Sequence, residues 1–460
     1  MNIGFSKIDI TPPVGTAMAG QLLNYKARGI ESELFAAAMY LYNGGTKIIF
    51  VSCDVLIISN ETANEVCAEI EKATGVPAEN VIVCTTHTHS GPITQDIFGM
   101  DADTAYIAKM KAGIIEAARL AYDNCRPGKL LTAKGELEGY AFNRRFIMSD
   151  GTIETHPLKG DPHIICAEGL DSKDLHVFYA LDSASKPMGA MVVFGCHATV
   201  MERENQLISS DYAGMVSGFI SEKLGGVPVL FLQGASGNIC QVNPRNTSNR
   251  EVGQAWAKKM GVAIGQKAME LLGDMPMETR GAVRIITETL EIPRRIIDND
   301  LVQWAKHHKE IPAPTPALSD YGVESYGKIA SPKVSLEELF KTPFWANFYA
   351  NEILTRERDR MKQPRIPFKI KVIVQDNWAM VALPCELFVE WSDEICRQSP
   401  FAFTSVVELA NGWNGYIPTK QAFERKGGYE TKEVTSTMLI PEAGEMILET
   451  VIKMLNTAKM

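Results

Sequence analysis

The stretch Val81-Ile82-Val83-Cys84-Thr85-Thr86-His87-Thr88-His89-Ser90-Gly91-Pro92 runs from an apolar segment into two histidines and a Gly-Pro turn. Its apolar start predicts a buried strand of an α/β sheet, and such sheets bind ligands at the carboxyl ends of their strands. Imidazole is a common metal ligand and a general acid or base near neutral pH. A His-x-His pair on extended backbone directs both rings to one side. The stretch therefore predicts a metal or proton-transfer site built on His87 and His89.

The same alternation of apolar runs and amphipathic segments continues on both sides of this stretch. Buried strands are predicted over residues 47–58, 80–85, 187–197 and 227–233, and helices over 61–74, 106–122 and 212–224. Farther along, strands over 368–374 and 378–383 are predicted to form a hairpin, after which Pro384-Cys385-Glu386 opens a helix. The alternation indicates an α/β fold whose polar residues collect at strand ends.

Residues 294–365 differ in character from the rest of the chain. They contain Trp304, His307 and His308, a Pro-rich turn over 312–316, and charged helical segments over 335–341 and 352–362. Ser335 and Glu338 have the spacing of a capping box. We predict a helical insertion over 294–365 that could line a polar entrance to the site, together with Lys159.

Composition excludes some classes of function. The 460 residues are 45% hydrophobic and 22% charged, with a net charge of −9, and Lys and Arg form no run of the kind that binds nucleic acid. The N-terminus has no basic start and apolar core, and no apolar stretch is long enough to span a bilayer. The nine cysteines include no C-x-x-C pair and suit buried reduced thiols. We expect a cytoplasmic protein.

Nine short motifs occur in a fixed order along most of the chain. They are Asp9-Ile10-Thr11-Pro12-Pro13-Val14-Gly15, Val51-Ser52-Cys53-Asp54, Thr86 to Pro92, Asn143-Arg144, Gly195-Cys196-His197-Ala198-Thr199, Ser210-Asp211-Tyr212-Ala213-Gly214, Gln233 to Cys240, Leu383-Pro384-Cys385-Glu386 and Gly415-Tyr416-Ile417-Pro418-Thr419. In this order they resemble the N-terminal catalytic domain of the neutral ceramidase family. The resemblance implies a mixed central sheet flanked by helices.

The resemblance also implies a zinc site with one ion per chain. Its ligands would be His87, His197, Glu386 and Tyr416, a nitrogen and oxygen donor set that suits zinc and also manganese. From the residues alone, Glu386 would be a helix cap and Tyr416 a packed aromatic side chain.

The resemblance assigns proton transfer to His89 and stabilisation of an oxyanion to Arg144 and Tyr429. Of the neighbouring Arg144 and Arg145, one is expected to be a surface charge or a structural ion pair.

Four further residues are predicted to support the site. Asp54 or Asp211 could hold the second nitrogen of a metal-bound imidazole, with helix capping as the alternative for Asp211. Asn238 and Cys240 lie in a Gly-rich loop where they could contact substrate. Cys240 stands where ceramidases carry a serine, so a covalent thiol mechanism is an alternative to metal-activated water.

Two departures from the family separate this chain from ceramidases that act on ceramide. We expect it to have neither their C-terminal immunoglobulin-like domain nor an export signal, and to form a single domain over 1–460. We predict a zinc-dependent hydrolase of an N-acyl amide bond, acting on a small substrate that is more polar than ceramide or resembles an amino sugar. A metal-dependent isomerase, lyase or glycosidase and a non-catalytic metal-stabilised binding protein are the alternatives. Neither nucleic-acid binding nor stable membrane insertion is expected, whereas homo-oligomers are possible.

Overall fold

The predicted alternation builds two β-sheets with helices on their outer faces. The computed structural model describes residues 1–20, 25–201, 205–274, 276–311, 343–425 and 427–459. The large mixed sheet has, in spatial order, strands β14 (Val229–Gln233), β12 (Pro187–Phe194), β11 (Asp174–Asp182), β6 (Arg126–Glu136), β1 (Asn2–Asp9), β3 (Phe35–Asn43), β4 (Thr46–Cys53) and β5 (Val81–Thr85), with β16 (Met277–Thr279) beside β6. The second sheet has strands β17 (Arg284–Pro293), β18 (Arg365–Gln375), β19 (Trp378–Ala382) and β21 (Phe403–Val407).

Short strand pairs and the helices complete the description. Three pairs are β20 (Glu386–Leu387) with β22 (Tyr416–Ile417), β7 (Phe142–Asn143) with β15 (Ile239–Cys240), and β2 (Gly29–Ile30) with β13 (Leu207–Ile208). A small three-stranded sheet has β8 (Arg145–Met148) between β9 (Ile153–Thr155) and β10 (Ile164–Ala167). The helices are α1 (Asn60–Thr74), α2 (Thr104–Asp123), α3 (Asp211–Lys223), α4 (Gln254–Gly273), α5 (Asn299–Lys309), α6 (Pro343–Lys362), α7 (Val389–Gln398), α8 (Lys420–Glu424) and α9 (Ala443–Lys459). Ala78–Asn80 form a single 3₁₀ turn.

Alternate side chains of each strand face opposite sides of its sheet, so the molecule has four layers, two of helices and two of strands. On β4, Ile49 and Val51 face helices α1 and α2, whereas Ile48 and Phe50 enter a core shared with Met380 of the second sheet. Helices α3 and α4 cover the other half of the large sheet, and α7 and α9 cover the outer face of the second sheet. The period of two along each strand therefore gives a helix–sheet–sheet–helix arrangement.

Most predicted elements lie within a few residues of their observed positions. Helix α1 shows why: Ser59 accepts a hydrogen bond from the Thr62 amide at its start, and Gly75 ends it with φ 65°. Val66 and Ile70 form part of its buried stripe. The predicted hairpin is present as β18 and β19, with Gln375 opposite Trp378. The predicted fold class, a mixed sheet flanked by helices, is confirmed.

The predicted helix start at Glu386 is wrong. Glu386 and Leu387 form β20, which pairs in parallel with β22, and helix α7 begins only at Val389. The backbone of Glu386 takes part in that pairing, and its amide donates a hydrogen bond to the Gly415 carbonyl at 2.9 Å. Glu386 therefore lies on an extended segment that faces β22.

Helices α5 and α6 fall within residues 294–365. The chain leaves the second sheet at Pro293 and returns at Arg365, which pair with each other, so the intervening residues are an excursion from one hairpin. Trp304 stacks on His308 within α5, with ring centroids 4.1 Å apart. The predicted turn over 312–316, the helix over 335–341 and the capping box of Ser335 and Glu338 lie outside the described residues.

Among the described residues, we find no helix that combines the length and the apolar character needed to cross a membrane.

Candidate metal centre

Strand ends of both sheets meet at one place. His87 follows β5, His197 follows β12, and Glu386 follows β19 by four residues. Isolated bridges between Cys84 and Ala410 and between Gly234 and Val407 connect the two sheets at this edge. The site therefore lies where the carboxyl ends of strands from separate sheets converge, as the sequence indicated for the large sheet alone.

His87 does not have the extended backbone that the His-x-His motif predicted. Its φ is 64°, a left-handed conformation that is uncommon for residues other than glycine. The surrounding loop fixes it, because the His87 amide donates to the Val55 carbonyl at 3.1 Å. Such strain is typical of functional sites. The rings of His87 and His89 nevertheless converge, with centroids 4.8 Å apart.

Three imidazoles and one carboxylate form the centre of the site. The Nε2 atom of His87 lies 3.1 Å from Nε2 of His197 and 3.3 Å from Nε2 of His89. The Oε2 atom of Glu386 lies 3.4 Å from Nε2 of His87 and 3.3 Å from Nε2 of His197. His87, His197 and Glu386 are buried, whereas His89 is half-buried and forms the open side of the cluster.

Backbone carbonyls decide which nitrogen of each ring carries the proton. Nδ1 of His87 lies 2.9 Å from the Leu56 carbonyl, Nδ1 of His197 lies 2.8 Å from that of Ser236, and Nδ1 of His89 lies 2.6 Å from that of Gly20. A carbonyl oxygen only accepts hydrogen bonds, so each Nδ1 must donate. In the neutral form of each ring the lone pair is therefore on Nε2, and Nε2 of His87 faces Nε2 of both His197 and His89.

The predicted role of Asp54 and Asp211 behind the imidazoles is wrong, because carbonyls occupy those positions. Asp54 accepts the Phe35 amide at 2.9 Å. Asp211 is the first residue of α3 and accepts the amides of Tyr212 and of Met201, which lies outside the helix; the N-cap position belongs to Ser210, so Asp211 does not fill the alternative role of N-cap either. Burial raises the pKa of each carboxyl group to about 6.

Glu386 has one satisfied oxygen and one that lacks a donor. The indole Nε1 of Trp413 donates to Oε1 at 2.7 Å, whereas the buried Oε2 has no hydrogen-bond partner among the described residues. Burial alone would raise the pKa of Glu386, whereas positive charge on His87 and His197 would hold it well below its usual value; with neutral rings, a bound divalent cation would supply that positive charge instead. Burial, and then the charge of Arg144, lowers the pKa of His197 to about 3. Unprotonated donor atoms in contact fit a divalent cation, since no proton lies between them.

Tyr416 is brought to the edge of this cluster. It lies opposite Glu386 in the pairing of β20 with β22, and its ring stacks on that of His197 with centroids 6.5 Å apart. Burial, followed by the charge of Glu386, raises the pKa of its phenol, and Arg144 opposes that rise. Register alone therefore places two of the four predicted ligands side by side.

Both neighbouring arginines are buried and ion-paired, which agrees with the expected structural ion pair and not with the alternative of a surface charge. Nε of Arg144 donates to Oε1 of Glu430 at 3.0 Å, and Nη1 of Arg145 donates to Oε2 at 2.7 Å. Arg144 also donates to the Gly237 carbonyl at 2.6 Å, and its guanidinium lies 5.1 Å from the ring centroid of Tyr429. Arg144 and Tyr429 are thus adjacent, and Glu430 anchors the pair.

Comparison with known proteins assigns the chain to a family. Residues 1–254 match the family model for the N-terminal domain of neutral/alkaline non-lysosomal ceramidases. That match covers more than half of the chain. The chain belongs to this ceramidase family. The predicted resemblance is confirmed, although Glu386 and Tyr416 lie beyond the matched residues.

Relatives match this ceramidase-family chain over part of their length. Neutral ceramidase A of Dictyostelium discoideum is 29% identical over 231 residues, which are 47% of this chain and 31% of that protein. Neutral ceramidase of Pseudomonas aeruginosa is 28% identical over 305 residues, which are 60% of this chain and 44% of that protein. The chain thus spans less than half the length of these curated relatives.

Solved structures extend the likeness in fold to the whole chain. The crystal structure of neutral ceramidase from Pseudomonas aeruginosa matches 99% of this chain and 74% of that chain, with a TM-score of 0.71 and 19% identity. A second structure, of a ceramidase complexed with C2, gives a TM-score of 0.70 at 18% identity, over 100% of this chain and 75% of that chain. The ceramidase fold therefore includes the segments that carry Glu386 and Tyr416.

In this ceramidase-family chain, the loop that departs from the family has a structural role. Asn238 accepts the Val389 amide at 2.9 Å and donates to Glu390 at 2.8 Å, which caps α7. The Cys240 thiol is buried and donates to the Val242 carbonyl at 3.6 Å. Because burial raises the pKa of Cys240 to about 12, the thiol is protonated at neutral pH. The structure does not support a covalent mechanism.

Three residues that the sequence did not point to shape this site. Trp413 and Glu430 each hold a predicted site residue, and Glu408 accepts hydrogen bonds from Ser236 and from the Leu387 amide behind the histidines. Burial, together with the charge of Glu386, raises the pKa of Glu408 to about 8. The signal for Trp413 and Glu430 was their place beside Tyr416 and Tyr429 in the chain. Lys159, predicted near the entrance, is instead buried and paired with Glu251.

Proposed function

We propose that this chain is a zinc-dependent hydrolase that cleaves an N-acyl amide bond in a substrate smaller or more polar than ceramide. One observation carries the metal: the Oε2 atom of Glu386 is buried without a donor and faces Nε2 atoms that carry lone pairs. A zinc ion satisfies this donor set, with His87, His197 and Glu386 as ligands and Tyr416 as the fourth. Membership of the ceramidase family supports the amide bond as the scissile bond.

The residues around the centre suit hydrolysis. Zinc held there would polarise the amide carbonyl and acidify a water molecule. His89 is the proton carrier in this proposal, because Gly20 holds its Nδ1 as a donor and leaves the lone pair on Nε2, which lies 3.3 Å from Nε2 of His87, to accept a proton. It takes a proton from the attacking water and returns it to the leaving amine nitrogen when the carbon–nitrogen bond breaks.

Arg144 and Tyr429 stabilise the oxyanion in this proposal. A guanidinium has five N–H donors, and Glu430 and Gly237 fix two of those on Arg144. The remaining donors are available to Tyr416 and to the carbonyl oxygen of the substrate. Because Arg144 is buried and held by ion pairing, its donors are oriented before the substrate arrives.

The deciding experiment combines metal analysis with a panel of N-acyl compounds. We expect about one zinc per wild-type chain and release of free amine from at least one compound among ceramide, N-acyl amino acids and N-acyl amino sugars. His197→Ala and Glu386→Gln should lose the metal, whereas His89→Ala should keep it and lose turnover. The exposed His163→Ala is the matched control and should change neither quantity.

Three outcomes would contradict parts of this proposal. Loss of zinc in His89→Ala would make His89 a ligand. A wild-type protein that binds zinc and releases amine from none of the compounds would not be an amide hydrolase, and a sugar-directed lyase, isomerase or glycosidase panel would follow. A wild-type protein that binds no zinc under saturating conditions would remove the metal mechanism.

A further inference from the structure

The helices of residues 294–365 are tied to a short segment at the metal centre, residues 429–437, which we name the anchor segment. Val434 of this segment is buried in a cluster with Ala305 of α5 and Ala350 and Ile353 of α6. The excursion from the β17–β18 hairpin thus packs on a segment that begins with Tyr429 and Glu430.

Polar contacts join the same two parts. In α6, the buried Glu352 accepts hydrogen bonds from the Thr435 amide at 2.9 Å and from its hydroxyl at 2.5 Å, both through Oε2. The Tyr349 hydroxyl donates to Glu433 at 2.8 Å, and Arg295 donates to the Thr431 carbonyl at 2.8 Å. Glu352 and Tyr349 are buried, whereas Thr431, Glu433 and Thr435 are half-buried. Loss of a hydrogen-bond partner is therefore most costly at the buried end of each contact.

The opposite side of the anchor segment holds the site. Glu430 accepts the hydrogen bonds of Arg144 and Arg145, and the Ser436 carbonyl accepts the Tyr416 amide at 2.7 Å. Thr437 closes the segment on itself by donating to the Glu430 carbonyl at 2.9 Å. One short segment therefore contacts the proposed oxyanion donor, the proposed tyrosine ligand and helix α6.

We infer that Glu352 is a positioning residue that acts through the anchor segment on Arg144 and Tyr416. The expected effect on catalysis rests on the proposed function. The structural coupling between Glu352 and the anchor segment does not. Glu352→Ala removes the acceptor of two hydrogen bonds, and we expect kcat to fall about tenfold with little change in KM, because Arg144 acts on the transition state. Glu352→Gln keeps an accepting oxygen and should restore turnover.

The test joins kinetics with hydrogen–deuterium exchange of the full chain. In Glu352→Ala, amides over 429–437 and over 414–420 should exchange faster, since the Tyr416 amide depends on Ser436. Glu352→Gln should retain the wild-type pattern. Glu357→Ala is the matched control, because this α6 carboxylate pairs only with Arg360 in the described contacts. Should Glu352→Ala fail to fold, Thr435→Val removes the hydroxyl at similar size and should give a smaller change over the same peptides.

The results separate this inference from the proposed function. Faster exchange that is confined to 429–437, or a Glu352→Gln variant as impaired as Glu352→Ala, would overturn the coupling. A wild-type protein that cleaves no amide would remove the proposed function, and the exchange patterns would still decide the coupling.

Discussion

At the scale of single residues, the indole of Trp413 fixes the orientation of the Glu386 carboxylate. Its hydrogen bond to Oε1 orients the group so that Oε2 meets the imidazoles. Trp413→Phe keeps a large ring and removes this donor. We expect zinc affinity to fall by about 10- to 100-fold, as for other partners of metal ligands, and competition with a chromophoric chelator measures it.

Trp256→Phe is the control for that substitution. The Trp256 indole nitrogen has no hydrogen-bond partner in the described part of the chain, so its loss should leave zinc affinity unchanged. Equal affinity of the Trp413→Phe variant and the wild-type protein would show that packing alone orients Glu386.

The histidines were predictable as a site and their geometry was not. A His-x-His pair after an apolar run indicates a strand-end site from local sequence. The left-handed φ of His87 and the carbonyl partners of each Nδ1 depend on residues 31 to 69 positions away. No local pattern encodes those contacts, so Asp54 and Asp211 were natural but wrong choices.

At the scale of elements, β20 owes its position to a glycine in the neighbouring loop. A Cβ atom on Gly237 would lie 2.6 Å from the Glu386 carbonyl oxygen and 3.0 Å from the Leu387 carbonyl carbon. Gly237→Ala must therefore displace the strand that carries Glu386. We expect a loss of about 1–3 kcal/mol in the free energy of unfolding, measured by denaturant titration, together with weaker zinc binding.

Gly218→Ala on α3 provides the matched glycine control. A Cβ atom there meets no other atom within 4 Å. The substitution should leave zinc binding intact and stabilise the helix by about 0.5–1 kcal/mol. A Gly237→Ala protein with wild-type stability and zinc affinity would mean that β20 tolerates the shift.

Strand β11 carries a histidine whose burial gives a pH dependence to stability. Burial, and then the charge of Lys134, lowers the pKa of His176 to about 3, and its ring packs on Phe403. Between that pKa and the usual 6.5, the unfolded chain binds a proton that the folded chain does not, so stability falls as pH falls. Relative to pH 7, this histidine should cost about 2 kcal/mol at pH 5.

His176→Leu isolates this contribution. Urea unfolding of the wild type and the variant at pH 7 and pH 5 gives the difference in their pH dependence. We expect the variant to lose less stability than the wild type on acidification. Parallel losses would assign the acid sensitivity to other groups.

Element prediction failed where the tertiary pairing decides conformation. Pro384-Cys385-Glu386 has the local features of a helix start, yet pairing with β22 keeps Glu386 and Leu387 extended. The partner strand lies 30 residues later, beyond the reach of local rules. In contrast, α1 and the β18–β19 hairpin depend on caps and a tight turn within their own sequence, and both were predicted.

At the scale of the whole molecule, the site is built from residues that follow strands of both sheets. Those strands lie far apart in the sequence. Patterning predicted four strands of the large sheet, β4, β5, β12 and β14, and two of the second, β18 and β19. The contact between the sheets depends on apolar residues from several strands of both. The resemblance to a family supplied what periodicity could not, namely that residues near 87, 197, 386 and 416 meet. The buried charges that connect distant segments had no sequence signal of their own.

Glu430 makes the clearest of these long-range connections, because it joins Arg144, between β7 and β8, and Arg145, the first residue of β8, to the anchor segment. Its side chain and both guanidinium groups are almost fully buried. Glu430→Gln keeps the shape and leaves two buried cations without their shared carboxylate. We expect the free energy of unfolding to fall by about 3–5 kcal/mol, measured by chemical denaturation.

The exposed ion pair of Glu69 with Lys72 offers the comparison for this prediction. Glu69→Gln breaks a pair whose side chains are largely in water, so it should cost at most about 1 kcal/mol. The difference between the two losses of stability shows whether the ion pairs of Glu430 contribute to folding. If Glu430→Gln costs no more than Glu69→Gln, the arginines find other partners, and residues 142–155 and 429–437 are held together mainly by apolar packing. If the large loss is observed, the ion-paired network that orients Arg144 is also a main link between residues 142–155 and 429–437, and catalysis and stability depend on the same carboxylate.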